Sequence, residues 1–316
     1  METLLSPVIL FFLLGAFAAL ARSDLSVPEA IAKGMSLYLM AAIGLKGGKE
    51  VAASGFTPDM ASAAAAGVAL SFLLPLPAFW LLRRIGRLSA VDAAAASAHY
   101  GSDSFVTFVT GVEVLTQAGM PPAGYMVAVL ALMETPGILT GLLLARRAGA
   151  TSSGDARGLW HETLLNGSVV LLVGSFAIGL VAPKEALAQV TPFFDTLFRG
   201  VLCLFLLDMG LIAARRFREA RALTVPVAAL AILLPIANGT LGVVVGASLG
   251  LDAGTAAALG ILAGSASYIA APAVIRMALP EADPGLYLGM SLAVTFPFNI
   301  LIGISLYSFI AQRLVP

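Results

Sequence analysis

Residues 99–104 read His99-Tyr100-Gly101-Ser102-Asp103-Ser104, and residues 263–267 read Ala263-Gly264-Ser265-Ala266-Ser267. Each stretch interrupts a long apolar run near its centre. Gly and Ser in a helix interior favour local opening, and Asp103 at the centre of a membrane would cost about 2.5–3.5 kcal/mol on insertion scales. Backbone freed in this way is tolerated at membrane depth only where it lines a cavity or packs against protein. Two matching interruptions therefore predict two discontinuous helices that meet inside the fold.

The surrounding sequence makes this a membrane problem. Of 316 residues, 59% are apolar and 11% charged, with a mean hydropathy of +0.96. A soluble domain carries roughly 25% charged residues. Apolar runs long enough to cross about 30 Å of hydrocarbon recur along the whole chain. They predict ten spans, near 4–21, 29–46, 57–82, 91–117, 122–145, 162–182, 192–214, 222–249, 252–278 and 284–312. The first run lacks a preceding Lys or Arg and reads as a span rather than a cleaved leader. Net charge is zero, which gives nucleic acid no electrostatic footprint. Cys203 is the single cysteine, excluding an intramolecular disulfide and a multi-cysteine metal site.

The chain divides at a flexible linker, residues 148–160, into halves 1–147 and 161–316. Thr3-Leu4-Leu5-Ser6 recurs as Thr163-Leu164-Leu165-Asn166, Lys33-Gly34 as Arg199-Gly200, and Gly44-Leu45 as Gly210-Leu211. Leu73-Leu74-Pro75 recurs as Leu233-Leu234-Pro235, Gly101-Ser102 as Gly264-Ser265, and Thr135-Pro136 as Phe296-Pro297. The order is the same throughout and the separation nearly constant. Five spans per half is an odd number, so the second repeat inserts upside down, as in many secondary transporters. The fold expected is an all-α integral membrane protein of ten transmembrane helices in two inverted five-helix repeats, with two discontinuous helices crossing at the bilayer midplane. Of 18 Lys and Arg, thirteen fall on the face opposite the termini, from Arg22 and Lys33 to Arg157, Arg221 and Arg276. The positive-inside rule then puts both termini outside the cytoplasm.

The breaks also predict chemistry. A helix that restarts after Gly-Ser presents N–H groups and roughly half a positive charge at its new N-terminus. Two such starts face to face make an anion site without a buried Lys or Arg, with the hydroxyls of Ser102, Ser104, Ser265 and Ser267 as further contacts. Asp103 would repel that anion unless a cation lies close, and a carboxylate beside freed carbonyls suits Na+. Glu134 beside Thr135-Pro136 and Asn299 beside Pro297 are further polar groups at kinks, expected as Na+ ligands or as partners of freed backbone. Gly and Ser also mark close helix packing in membranes; the equivalent position of the two segments favours a site. His99, next to a break, reads as a hydrogen-bonded structural residue.

These residues also carry a resemblance. Ala42-Ile43-Gly44-Leu45-Lys46-Gly47-Gly48, residues 99–108 and Leu132-Met133-Glu134-Thr135-Pro136 are similar to sodium-dependent bicarbonate transporters of the SbtA type. So is the stretch from Gly264 through Pro272 to Ala282, continuing with Thr295-Phe296-Pro297-Phe298-Asn299. The resemblance spans nearly the whole chain. It implies Na+-coupled bicarbonate uptake across the cell inner (plasma) membrane, a homotrimer in the lipid bilayer, a core sliding against a scaffold, and a PII-like cytoplasmic regulatory partner. It carries Gly101, Ser102, Ser104, Gly264, Ser265 and Ser267 over as substrate-binding; Asp103, Glu134 and Asn299 come from the residues themselves. No resident cofactor is expected beyond Na+ as coupling ion. Asp103 stands where the resemblance implies an uncharged residue, leaving open another small anion, such as an organic monocarboxylate. A catalytic Asp103 in an intramembrane enzyme would lack a second acid or a His pair. At one Na+ per bicarbonate the cycle would move no net charge, and a tenfold Na+ gradient would support about 1.4 kcal/mol.

Overall fold

A computed structural model describes residues 5–148, 167–219 and 223–315. Residues 149–160 of the expected linker lie outside them, as do Thr163-Leu164-Leu165-Asn166, Arg157, Arg221 and Thr3-Leu4. Among the described residues the chain is helical, with no strand. The helices are α1 (Pro7–Leu20), α2 (Glu29–Ser54), α3 (Pro58–Leu73), α4 (Pro75–Arg84), α5 (Ala90–Gly101), α6 (Phe105–Gln117) and α7 (Met126–Arg147). They continue as α8 (Gly167–Val181), α9 (Lys184–Thr191), α10 (Phe198–Glu219), α11 (Val225–Ser248), α12 (Ala253–Gly264) and α13 (Ala270–Ala278). The last rod, α14 (Pro284–Leu314), includes two π-wound stretches, Gly289–Thr295 and Asn299–Gly303. Among the described residues five segments are long and apolar enough to cross a membrane: Pro58–Arg84, Met126–Arg147, Lys184–Arg218, Val225–Ser248 and Pro284–Leu314.

Local sequence explains many of the ends. Ser6, Thr57, Ser89, Ser104 and Asp252 each accept a hydrogen bond from a backbone N–H three residues on, satisfying a donor that the first turn leaves without a partner. Pro7 and Pro58 open α1 and α3, where a missing N–H costs nothing. Helix α2 runs well past the apolar segment that ends at Lys46 and stops at Gly55, whose φ of 77° suits glycine. Helicity likewise begins at Lys184 rather than 192, because Lys184–Thr191 forms about two amphipathic turns that an apolar scan passes over.

Packing separates two groups of helices. α1 lies along α10, and α2 along α8. In these pairs glycine lets the backbones meet: a Cβ on Gly15 would overlap the Leu207 carbonyl, and one on Gly48 would overlap that of Phe176. The second group is α3–α7 with α11–α14, in which α11 lies along α12, and α3 and α5 pack on α7. At its centre are α5 and α12. Every residue from Ala93 to Gly101, and from Gly254 to Gly264, is buried. A helix enclosed on all sides needs small side chains, and these two are built mainly of Ala and Gly.

Candidate functional site

Both interruptions are present. Helix α5 ends at Gly101, Ser102 and Ser104 are extended, and α6 restarts at Phe105. Helix α12 ends at Gly264, Ser265 is extended, and α13 restarts at Ala270. The two breaks are bonded to one another. The Ser267 N–H donates to the carbonyls of Ser102 (3.0 Å) and His99 (2.9 Å), and the Ser104 N–H donates to Ser265 Oγ (2.8 Å). His99 Nδ1 lies 2.5 Å from the Ser267 carbonyl, and its ring stacks on Tyr287. His99 is thus the structural, hydrogen-bonded residue that its position suggested, and it clamps one break to the other.

The carbonyl ends of α5 and α12 are satisfied by equivalent devices. The Gly101 carbonyl accepts from Ser71 Oγ (2.7 Å), and the Gly264 carbonyl accepts from Asn299 Nδ2 (2.9 Å). Asn299 is fully buried, and its Oδ1 accepts from the Tyr307 hydroxyl (3.1 Å). Its amide therefore holds a helix end. Ser71 also reaches α7, where its hydroxyl stands between the Met133 carbonyl (2.7 Å) and the Gly137 N–H (2.9 Å). It takes the place of an i to i−4 bond beside Pro136, one turn from Glu134.

Three of the four serine hydroxyls are committed to backbone. Ser104 Oγ caps α6 through the Thr107 N–H (3.3 Å), Ser267 Oγ accepts from the Ala271 N–H (3.2 Å), and Ser265 Oγ donates to the Leu262 carbonyl (2.9 Å). Ser102 Oγ and Asp103 Oδ2 are buried without a hydrogen-bond partner among the described residues.

A small cavity opens where the restarted helices face α2 and α8. Asp103, Ser104, Glu134, Ser267 and Tyr268 line it, along with Met40 of α2 and Leu172 of α8. The cavity is small, about 20 Å³, enough to hold water. Phe105 and Ala270, the first residues of α6 and α13, also line it. The cavity thus brings both helix N-termini together with both carboxylates. Of the sequence-derived residues, Asp103, Ser104, Glu134 and Ser267 converge here. Gly101, Ser102, Gly264, Ser265 and Asn299 do not line the cavity and shape or brace the crossing instead.

A second cleft, of about 450 Å³, lies farther along α6. Lys46, Glu113, Thr116, Asp195 and Arg199 line it, and Arg199 pairs with Glu113. Sequence reading did not single out Ser71, Tyr268 or this ion pair as functional. Ser71 carried a signal, being a hydroxyl four residues before a proline in an apolar run.

A profile of the Na+-dependent bicarbonate transporter superfamily matches residues 7–312. The chain belongs to that superfamily. It is accordingly a membrane transporter, and the family implies bicarbonate and Na+ as what it carries. Among curated proteins none matches the chain. The cavity at the crossing offers oxygen ligands next to helix N-termini.

Proposed function

We propose that the protein imports bicarbonate by symport with Na+, through the cavity at the crossing of the two interrupted helices. One observation carries this reading: the N-termini of α6 and α13 and the carboxylates of Asp103 and Glu134 share one small cavity in a chain of this superfamily. The anion takes the helix starts, near Ser104 and Ser267, with Gly101, Ser102, Gly264 and Ser265 shaping the crossing. Na+ takes carboxylate oxygen from Asp103 and Glu134, and Asn299 keeps the end of α12 in place.

The membrane arrangement in this reading is ten spans in two inverted repeats, in the cell inner membrane, with both termini on the non-cytoplasmic side. Helix pairing supports it. In a repeat of five, α1 and α8 are counterparts, as are α2 and α10, so the α1–α10 and α8–α2 pairs are one contact made twice. The distribution of Lys and Arg supports the orientation. Transport proceeds by alternating access of an elevator type, α3–α7 and α11–α14 moving as a core against α1, α2, α8 and α10. The position of the cavity between the two groups favours this. A homotrimer and a PII-like cytoplasmic partner rest on the family resemblance alone.

Purified protein in liposomes should accumulate labelled bicarbonate under an inward Na+ gradient and not under K+ alone. Equal uptake in K+ would refute the reading. Asp103 favours a second reading, in which another small anion such as an organic monocarboxylate is carried. Uptake of labelled monocarboxylate that bicarbonate fails to displace would select it.

A further inference from the structure

The cavity at the crossing is unbalanced in charge. Asp103 and Glu134 both line it, and among the described lining residues there is no Lys, Arg or His. Asp103 is 5% exposed, and its Oδ2 has no hydrogen-bond partner among the described residues. Arg199 and Lys46 line the separate cleft farther along α6, where Glu113 already engages Arg199. A buried carboxylate without a counter-charge is strongly disfavoured, so each must either take up a proton or meet a cation.

The charges can be counted. Each helix N-terminus is equivalent to roughly +0.5 and each C-terminus to roughly −0.5; the carbonyl ends of α5 and α12 are capped by Ser71 and Asn299 and do not line the cavity, so the starts of α6 and α13, which do, together offset one monovalent anion. That leaves Asp103 and Glu134, and one Na+ neutralises only one of them. We propose that the cavity takes two monovalent cations with each anion, one at Asp103 and one at Glu134, so that every inward cycle carries one net positive charge. This rests on the Na+-coupled reading above and adds a second cation site to it. Nothing is transformed chemically: two Na+ and one bicarbonate enter and leave unchanged.

The consequence is a steeper pump. With one Na+, a tenfold gradient sustains tenfold accumulation whatever the voltage. With two, the same gradient sustains about a hundredfold, and each 100 mV of inside-negative potential multiplies that by about fifty. The test is flux coupling in proteoliposomes, with tracer Na+ and labelled bicarbonate followed together over short times while a K+ diffusion potential is set with valinomycin. The expected result is two Na+ per bicarbonate, with uptake driven by inside-negative potential. Asp103→Asn should bring the ratio to one and remove the voltage response; if that variant is inactive, the wild-type ratio decides alone. A wild-type ratio of one overturns the proposal. With no voltage response, that ratio leaves one-to-one Na+ symport standing; with a voltage response, it assigns the second carboxylate to a proton. Uptake indifferent to Na+ overturns the underlying reading instead.

Discussion

Replacing Ser71 with Ala tests whether the crossing is braced as described. The Ser71 hydroxyl is fully buried and serves the Gly101 carbonyl at 2.7 Å, the Met133 carbonyl at 2.7 Å and the Gly137 N–H at 2.9 Å. One hydroxyl donates a single hydrogen, so it bonds one carbonyl at a time while accepting from Gly137. The alanine variant loses one donated and one accepted bond, and each buried group left without a partner costs about 1–3 kcal/mol. If α7 recloses its own Gly137-to-Met133 bond, only the Gly101 carbonyl is stranded. The expected destabilisation is therefore about 2–6 kcal/mol, or about 1–3 kcal/mol with full reclosure. Cys203 is the only cysteine and is buried, so a thiol-reactive fluorophore reports unfolding without an added label. The measurement is the free energy of SDS unfolding in mixed micelles. The control is Ser62→Ala, which removes an exposed hydroxyl bonded, among the described residues, to the carbonyl of Asp59 on its own helix, expected within about 0.5 kcal/mol of wild type. If Ser71→Ala unfolds at the same point as that control, the bracing argument is wrong.

Two further outcomes follow from the same geometry. Asn299→Leu strands the Gly264 carbonyl and should cost about 1–3 kcal/mol in the same assay while leaving the Na+ concentration for half-maximal uptake unchanged in folded protein; a large shift in that concentration at intact stability would make Asn299 a Na+ ligand after all. Arg199→Gln breaks the pair between α10 and α6, but Arg199 is largely exposed and Gln117 still donates to Glu113, so the cost should stay below about 1 kcal/mol and shrink further in high salt. A double-mutant cycle with Glu113→Gln showing coupling well above that would refute this.

The breaks were the most legible part of the chain. Gly101 through Ser104 and Gly264 through Ser267 stand out because Gly, Ser and a charge are costly inside an apolar helix, and that cost is local to the residues themselves. Helix ends were less legible where hydropathy and helicity part. Lys46, Lys49 and Glu50 end the apolar run, yet α2 continues to Gly55 because the backbone does not need apolar side chains to stay helical. Partners were not legible. A polar residue in an apolar run is either a ligand or a brace for backbone, and what decides is the group it meets. For Asn299 that group is the carbonyl of Gly264, and for Ser71 it is that of Gly101, each on another helix. Asp103 and Asn299 look alike in sequence, but Asp103 Oδ2 meets no partner among the described residues while both amide atoms of Asn299 do.

The bonds that join one break to the other set how the site can select. Since Ser267 N–H, Ser104 N–H and His99 already hold the two extended segments together, an arriving ion does not have to fold the chain around itself. Preorganisation of this kind removes an ordering cost from binding. It also removes adjustability: a keystone locked by its own hydrogen bonds cannot widen for a bulkier guest without unlocking. On the proposed function, discrimination among anions at this crossing should therefore behave as a threshold in size, flat below it and abrupt above, rather than as a graded preference.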